Sequence, residues 1–163
     1  MTPEIGERAP DFRLRDQHGR PTTLATFDGP VLLVFFPFAF SGVCTGELRE
    51  LRDAGSRLTA SGVALAGLSC DPIFSLRVFA DRDGLDLPLL SDFWPHGEVA
   101  ASYGAFDDRS GCPTRSTFLV DGAGVLRWAV HNPMGQARSL DDYVRAVEAL
   151  GPPTAATVRR KAK

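Results

Sequence analysis

The sequence predicts a three-layer α/β/α sandwich around a mixed sheet, and three observations predict it. Two continuous apolar runs, residues 31–36 and 63–68, have the length and composition of strands buried on both faces. Each is followed by a segment with helical apolar spacing, and strands joined by crossover helices run parallel. Late in the chain, residues 117–120 and 125–130 flank Asp121-Gly122-Ala123-Gly124, a turn sequence that predicts an antiparallel hairpin.

The remaining elements follow in order. Apolar alternation at residues 12–14 and 22–24, with His18-Gly19 between them, reads as an opening hairpin. Residues 31–36 end at Pro37, and Leu48, Leu51, Ala54 and Leu58 then recur at helical spacing. That helix begins within residues 42–45 and stops near Thr59, before Ser61-Gly62. Residues 63–68 form the second buried strand, and residues 73–80 a second helix with Asp71 as N-cap and Pro72 in its first turn. Residues 87–90 read as a third short strand and residues 96–103 as a short helix that His96 caps. After the late hairpin, an amphipathic helix over residues 140–150 closes the domain.

Composition excludes several classes of function. The 163 residues are 44% hydrophobic and 23% charged, the balance of one soluble globular domain of residues 1–150. The apolar stretch from Val31 to Phe40 is broken by Pro37 and too short to span a bilayer. The first residues lack a basic-then-apolar signal, so a cytoplasmic protein is expected. Net charge is −2, and Arg159, Arg160, Lys161 and Lys163 contribute +4 of it, leaving −6 for the rest. A body of that sign repels phosphate, so nucleic-acid binding would rest on residues 151–163 alone, which read as a basic, disordered tail.

Cys44, Cys70 and Cys112 are an odd, widely spaced set with no zinc-type pairing, so no metal site is expected. Cys44 follows a buried strand and sits in the first turn of a helix. Unpaired amides and the positive end of the helix dipole favour a thiolate there. Ser41, one turn earlier, has a hydroxyl to donate. The plain alternative for any of the three is an inert, buried small hydrophobe.

These residues carry a resemblance. Pro37, Ser41 and Cys44 are similar to the peroxiredoxin pattern Pro-x-x-x-Thr/Ser-x-x-Cys. Residues 9–14 resemble that family's N-terminal Ala-Pro-Asp-Phe motif. Arg115 resembles its strand arginine, and Leu89-Leu90-Ser91-Asp92 and Tyr103-Gly104 resemble further landmarks. The wording around Cys44 and around Trp94-Pro95-His96 is most similar to the one-cysteine, alkyl hydroperoxide reductase E-like group of actinobacteria.

The resemblance implies a thioredoxin-like fold and a peroxidase cycle. In that cycle Cys44 attacks hydrogen peroxide or an organic hydroperoxide and becomes a sulfenic acid. No haem, flavin or metal cofactor is implied, because the thiolate supplies both electrons. Arg115 would stabilise the thiolate and the peroxide oxygens. The Ser41 hydroxyl and the amides of Val43 and Cys44 would align them, Pro37 would shield the sulfur, and Glu47 would orient the arginine. Phe38, Phe40, Phe93 and Trp94 would form an apolar rim for an acyl-chain hydroperoxide, or the face of a homodimer. Neither Cys70 nor Cys112 occupies a recognised resolving position, although each adjoins a strand that could end near the site, so internal disulfide resolution by Cys112 or Cys70 stays an alternative. An external thiol is therefore expected as reductant, with mycothiol and mycoredoxin or a thioredoxin system implied by analogy. A thioredoxin-type disulfide reductase needs a second cysteine three residues from the first, where Ser41 and Glu47 stand. A redox sensor or holdase of the same fold stays open.

Overall fold

The computed structural model describes residues 2–151. The expected basic tail, Gly151 apart, lies outside the described residues. The strands are β1 (Leu14–Arg15), β2 (Pro21–Thr22), β3 (Val31–Phe35), β4 (Ala64–Ser69), β5 (Leu89–Ser91), β6 (Phe106–Asp107), β7 (Cys112–Pro113), β8 (Arg115–Val120) and β9 (Leu126–Asn132). The α-helices are α1 (Gly42–Thr59), α2 (Ile73–Asp83), α3 (Glu98–Ser102) and α4 (Leu140–Leu150).

Seven strands form one sheet in the order β2-β1-β5-β4-β3-β8-β9, and β6 pairs with β7 apart from it. The two apolar runs became its centre. β3 pairs parallel with β4 and antiparallel with β8, while β4 pairs parallel with β5. All six side chains from Val31 to Phe36 are 0% exposed, since β3 has a paired strand on each edge and packing on each face. Burying a side chain of this kind contributes about 2 kcal/mol. Leu32, Val34 and Phe36 join the apolar faces of α1, α2 and α4, whereas Val31, Leu33 and Phe35 meet α3 and the N-terminal segment. The sandwich is thus unequal, with three helices on one side and a thin layer on the other. Gly67 in β4 permits the tight packing under α1. A Cβ there would come 2.9 Å from Leu89 and 3.1 Å from the Phe36 ring.

Several local expectations need correction. The opening hairpin is shorter than residues 12–14 and 22–24 suggest, because Leu24–Thr26 form a 3-10 turn in which Thr26 Oγ1 accepts the Thr23 N–H at 2.9 Å. Asp71 does not cap α2; Pro72 does. The Asp71 carboxylate is taken instead by the Ala39 N–H at 2.9 Å and the Ser69 hydroxyl at 2.7 Å. The helix also runs past Ala80 to Asp83 and stops at Gly84, left-handed with φ 62°. Nor does His96 cap α3. Gly97 holds that position with φ 72°, the Asp92 carboxylate accepts the N–H groups of Val99 and Ala100, and His96 Nε2 meets the Gly111 carbonyl at 2.7 Å. The β6–β7 pair was not anticipated; two-residue strands leave no apolar period to read. No helix among the described residues is long and apolar enough to cross a membrane.

Candidate active site

The site lies where β3 ends and α1 begins. Pro37 closes the strand, and Ser41 is the N-cap of α1 with extended backbone but no side-chain cap bond. The first-turn amides of α1 therefore point into the site without a helical carbonyl to receive them. Cys44 lies in that turn and is 0% exposed.

β8 supplies the charge. Arg115, its first residue, donates from Nη1 to Cys44 Sγ at 3.3 Å and to Glu47 Oε1 at 2.6 Å. Its Nε donates to the Met134 carbonyl, so the guanidinium plane is fixed by groups other than the sulfur. Glu47 lies one turn beyond Cys44 and is buried. Its second partner is Arg138, to which no sequence motif points. This residue donates to Glu47 Oε2 from its backbone N at 2.7 Å and from Nε at 2.9 Å, and to Oε1 from Nη2 at 2.9 Å. Its Nη1 reaches the carbonyls of Phe35 and Ser116 and the hydroxyl of Thr117. Burial pushes the Glu47 carboxyl up, but the hydrogen bonds and charge of Arg138, aided by Arg115, outweigh it and hold it below its ordinary value. Two guanidinium charges against one carboxylate leave one positive charge over, 3.3 Å from the Cys44 sulfur.

Ser41 Oγ and Thr45 Oγ1 are buried and have no hydrogen-bond partner among the described residues. An unpaired buried hydroxyl is costly unless a ligand completes it. Ser41, the Val43 and Cys44 amides and Arg115 thus offer donors to oxygen atoms placed beside the sulfur.

The other expected residues are dispersed. Pro37 is buried, and Val43 is half-buried in the first turn. Phe38 is exposed, Trp94 stands 79% exposed on the loop after β5, and the Phe40 ring is turned onto Phe79 of α2 at 5.2 Å. Cys70 directly follows β4 and Cys112 lies on β7; with Cys44, all three cysteines are free. Burial, with the negative charges of Asp92 and Asp71, pushes the Cys70 thiol up to about 12. Burial and Asp107 push Cys112 up to about 11. Among the described residues no group of three or more His, Cys, Asp or Glu side chains is placed to hold a metal ion.

Comparison with known proteins matches residues 5–129 to the AhpC/TSA family. The alkyl hydroperoxide reductase E of Mycobacterium tuberculosis is 42% identical over 148 residues, 90% of this chain and 97% of that protein. Among solved structures, the peroxidoxin BcpB of Mycobacterium tuberculosis superposes with a TM-score of 0.80 at 31% identity, covering 90% of this chain and 97% of the other. The AhpC of Enterococcus faecalis gives 0.84 at 25% identity, with 92% and 93% covered.

Proposed function

The chain belongs to the AhpC/TSA family of peroxiredoxins, thiol-dependent peroxidases with a thioredoxin-like fold, and we propose that Cys44 reduces hydrogen peroxide and organic hydroperoxides in a one-cysteine cycle completed by an external thiol. The observation that carries the reading is the Arg115–Cys44 contact beside an unpartnered Ser41 hydroxyl.

The chemistry follows from the donors. The Cys44 thiolate attacks the terminal peroxide oxygen; an S–O bond forms as the O–O bond breaks. The sulfur is oxidised by two electrons to a sulfenic acid, and the departing oxygen takes a proton and leaves as water or an alcohol. Ionisation alone accounts for little of the rate. A thiol of ordinary pKa, about 8.5, is already several per cent ionised near neutrality, so full ionisation gains about tenfold. The rest must come from binding the transition state, in which charge leaves sulfur and builds on the departing oxygen. Arg115 is placed for both ends of that shift, because Glu47 and Met134 hold its plane while Nη1 faces the sulfur. Pro37 has no N–H to compete for the thiolate.

External resolution is supported by the state of the other cysteines. Cys70 and Cys112 are buried and raised to about 12 and about 11, so both are protonated at neutral pH, and the thiol is a poor nucleophile. Three free cysteines suit a reducing compartment such as the cytoplasm. Exposed Phe38, Phe93 and Trp94 offer an apolar face of the kind a homodimer would cover.

The test is the mass of the reduced protein quenched within about a second of adding one equivalent of hydrogen peroxide, a window suited to an activated thiolate. The expected product carries one added oxygen on Cys44, forms equally in Cys70→Ser and Cys112→Ser, and is absent in Cys44→Ser. Loss of two hydrogens instead would mean an internal disulfide and overturn external resolution. An unmodified Cys44 would overturn the peroxidase role.

A further inference from the structure

Phe40 is the one residue other than glycine with a positive φ among those described, at 72°. It stands immediately before Ser41, the N-cap of the helix that carries Cys44. A bulky side chain pays for the left-handed region and stays there only when its surroundings hold it. Here the hold is visible. The ring packs against Phe79 at 5.2 Å, and the Arg82 guanidinium lies over it, Cζ 4.7 Å from the centroid. Arg82 is in turn oriented by Asp83, which accepts its Nε at 3.1 Å and its Nη2 at 3.0 Å. Asp83 also accepts Arg49 Nε of α1 at 3.0 Å, and its carbonyl accepts Arg52 of α1. The C-terminal end of α2 therefore grips α1 along its side and, through Phe40, at its entrance.

That grip matters because Cys44 is 0% exposed. Peroxide is small enough to enter by slight breathing. A reductant must bring its own sulfur to bonding distance, so the turn at residues 38–43 has to move aside. We propose that Arg82 is a positioning residue for the thiol-dependent half of the cycle: by clamping Phe40 in its left-handed conformation it keeps the turn closed over Cys44, and its release admits the reducing thiol. The inference rests on the one-cysteine reading above. The step admitted is Cys44–SOH plus R–SH giving Cys44–S–S–R plus water, with the thiol proton and the sulfenic hydroxyl leaving together.

The left-handed cost of Phe40 and the worth of one half-exposed cation–π contact are of the same order, so the contact offsets much of that cost in the closed turn. Where the closed form dominates, losing the contact multiplies the small open fraction while hardly reducing the closed one. The two half-reactions should then respond differently. In Arg82→Ala, alkylation of reduced Cys44 by N-ethylmaleimide and capture of its sulfenic acid by glutathione should each rise roughly two- to fivefold. Oxidation by hydrogen peroxide should stay at the wild-type rate. Arg82→Lys keeps a cation over the ring and should return both rates toward wild type. Unchanged alkylation overturns the clamp. So does an equal rise at Cys70 and Cys112, which would mean general loosening, or a parallel fall in oxidation. Alkylation needs no peroxide chemistry, so an enzyme inert to peroxide would refute the peroxidase reading while the clamp was still measured.

Discussion

Arg115 meets both the sulfur and Glu47 with Nη1 while its Nε holds the Met134 carbonyl, and its loss removes a donor without emptying the site of charge. Arg138 and Glu47 stay bonded to each other through three contacts. Arg115→Ala should slow peroxide oxidation of Cys44 by about a hundredfold or more, the usual cost of deleting a donor aimed at developing oxygen charge. Stopped-flow measurement at alkaline as well as neutral pH separates this from thiol ionisation; equal rates at high pH would refute a transition-state role. Lysine at this position should restore charge but not the Nε bond to the Met134 carbonyl that fixes the orientation of the donor. Cys44, Ser41 and Arg115 were legible in the sequence because short patterns carry them. Arg138 was not. A single arginine in a Gly-Gln-Ala-Arg-Ser loop reads as a solvated side chain, and nothing local says that it will be 4% exposed between β3 and β8.

Among the elements, long periodic ones were readable and short ones were not. α1 begins and ends within the expected bounds because Leu48, Leu51 and Leu58 must all face the sheet. Between Asp92 and Pro113 the sequence shows the short helix but neither its cap nor the β6–β7 pair, since these come from side-chain caps and a tight glycine rather than from apolar period. Gly97 shows the dependence most clearly. Its φ is 72°, and a Cβ there would come 2.2 Å from the Phe106 ring. Gly97→Ala should therefore cost about 2 kcal/mol or more, from left-handed strain and overpacking together. For a chain of this size that lowers Tm by roughly 5 °C. An unchanged Tm would mean that Phe106 moves freely.

For the whole molecule, Glu47 is the joint. Its carboxylate ties α1 to β8 through Arg115 and to the chain before α4 through Arg138, with 7% of its surface exposed. Glu47→Gln strands two buried guanidinium groups and should destabilise the protein by about 3 kcal/mol or more at pH 7. The sign with pH is definite. Glu47 is held below its ordinary value, so its stabilisation is complete above an unfolded pKa of about 4.3 and drains away as pH falls through the lower folded value. Denaturant titrations of wild type and Glu47→Gln should thus converge under acid conditions. A difference independent of pH would show that the joint is steric rather than ionic.

By itself the sequence determined the central strands, the first helix and the thiol at its mouth, because hydrophobic period and a helix N-terminus act within a few residues of where they are written. That Arg138 joins Arg115 and Glu47 beside that thiol was decided only by tertiary structure. Residues 44, 47, 115 and 138 are separated by up to 94 positions (138 minus 44) and meet because β3 and β8 are neighbours in the sheet. The left-handed Phe40 is of the same kind. Its own preference opposes that conformation, and only α2, packed against α1, supplies the contacts that hold it.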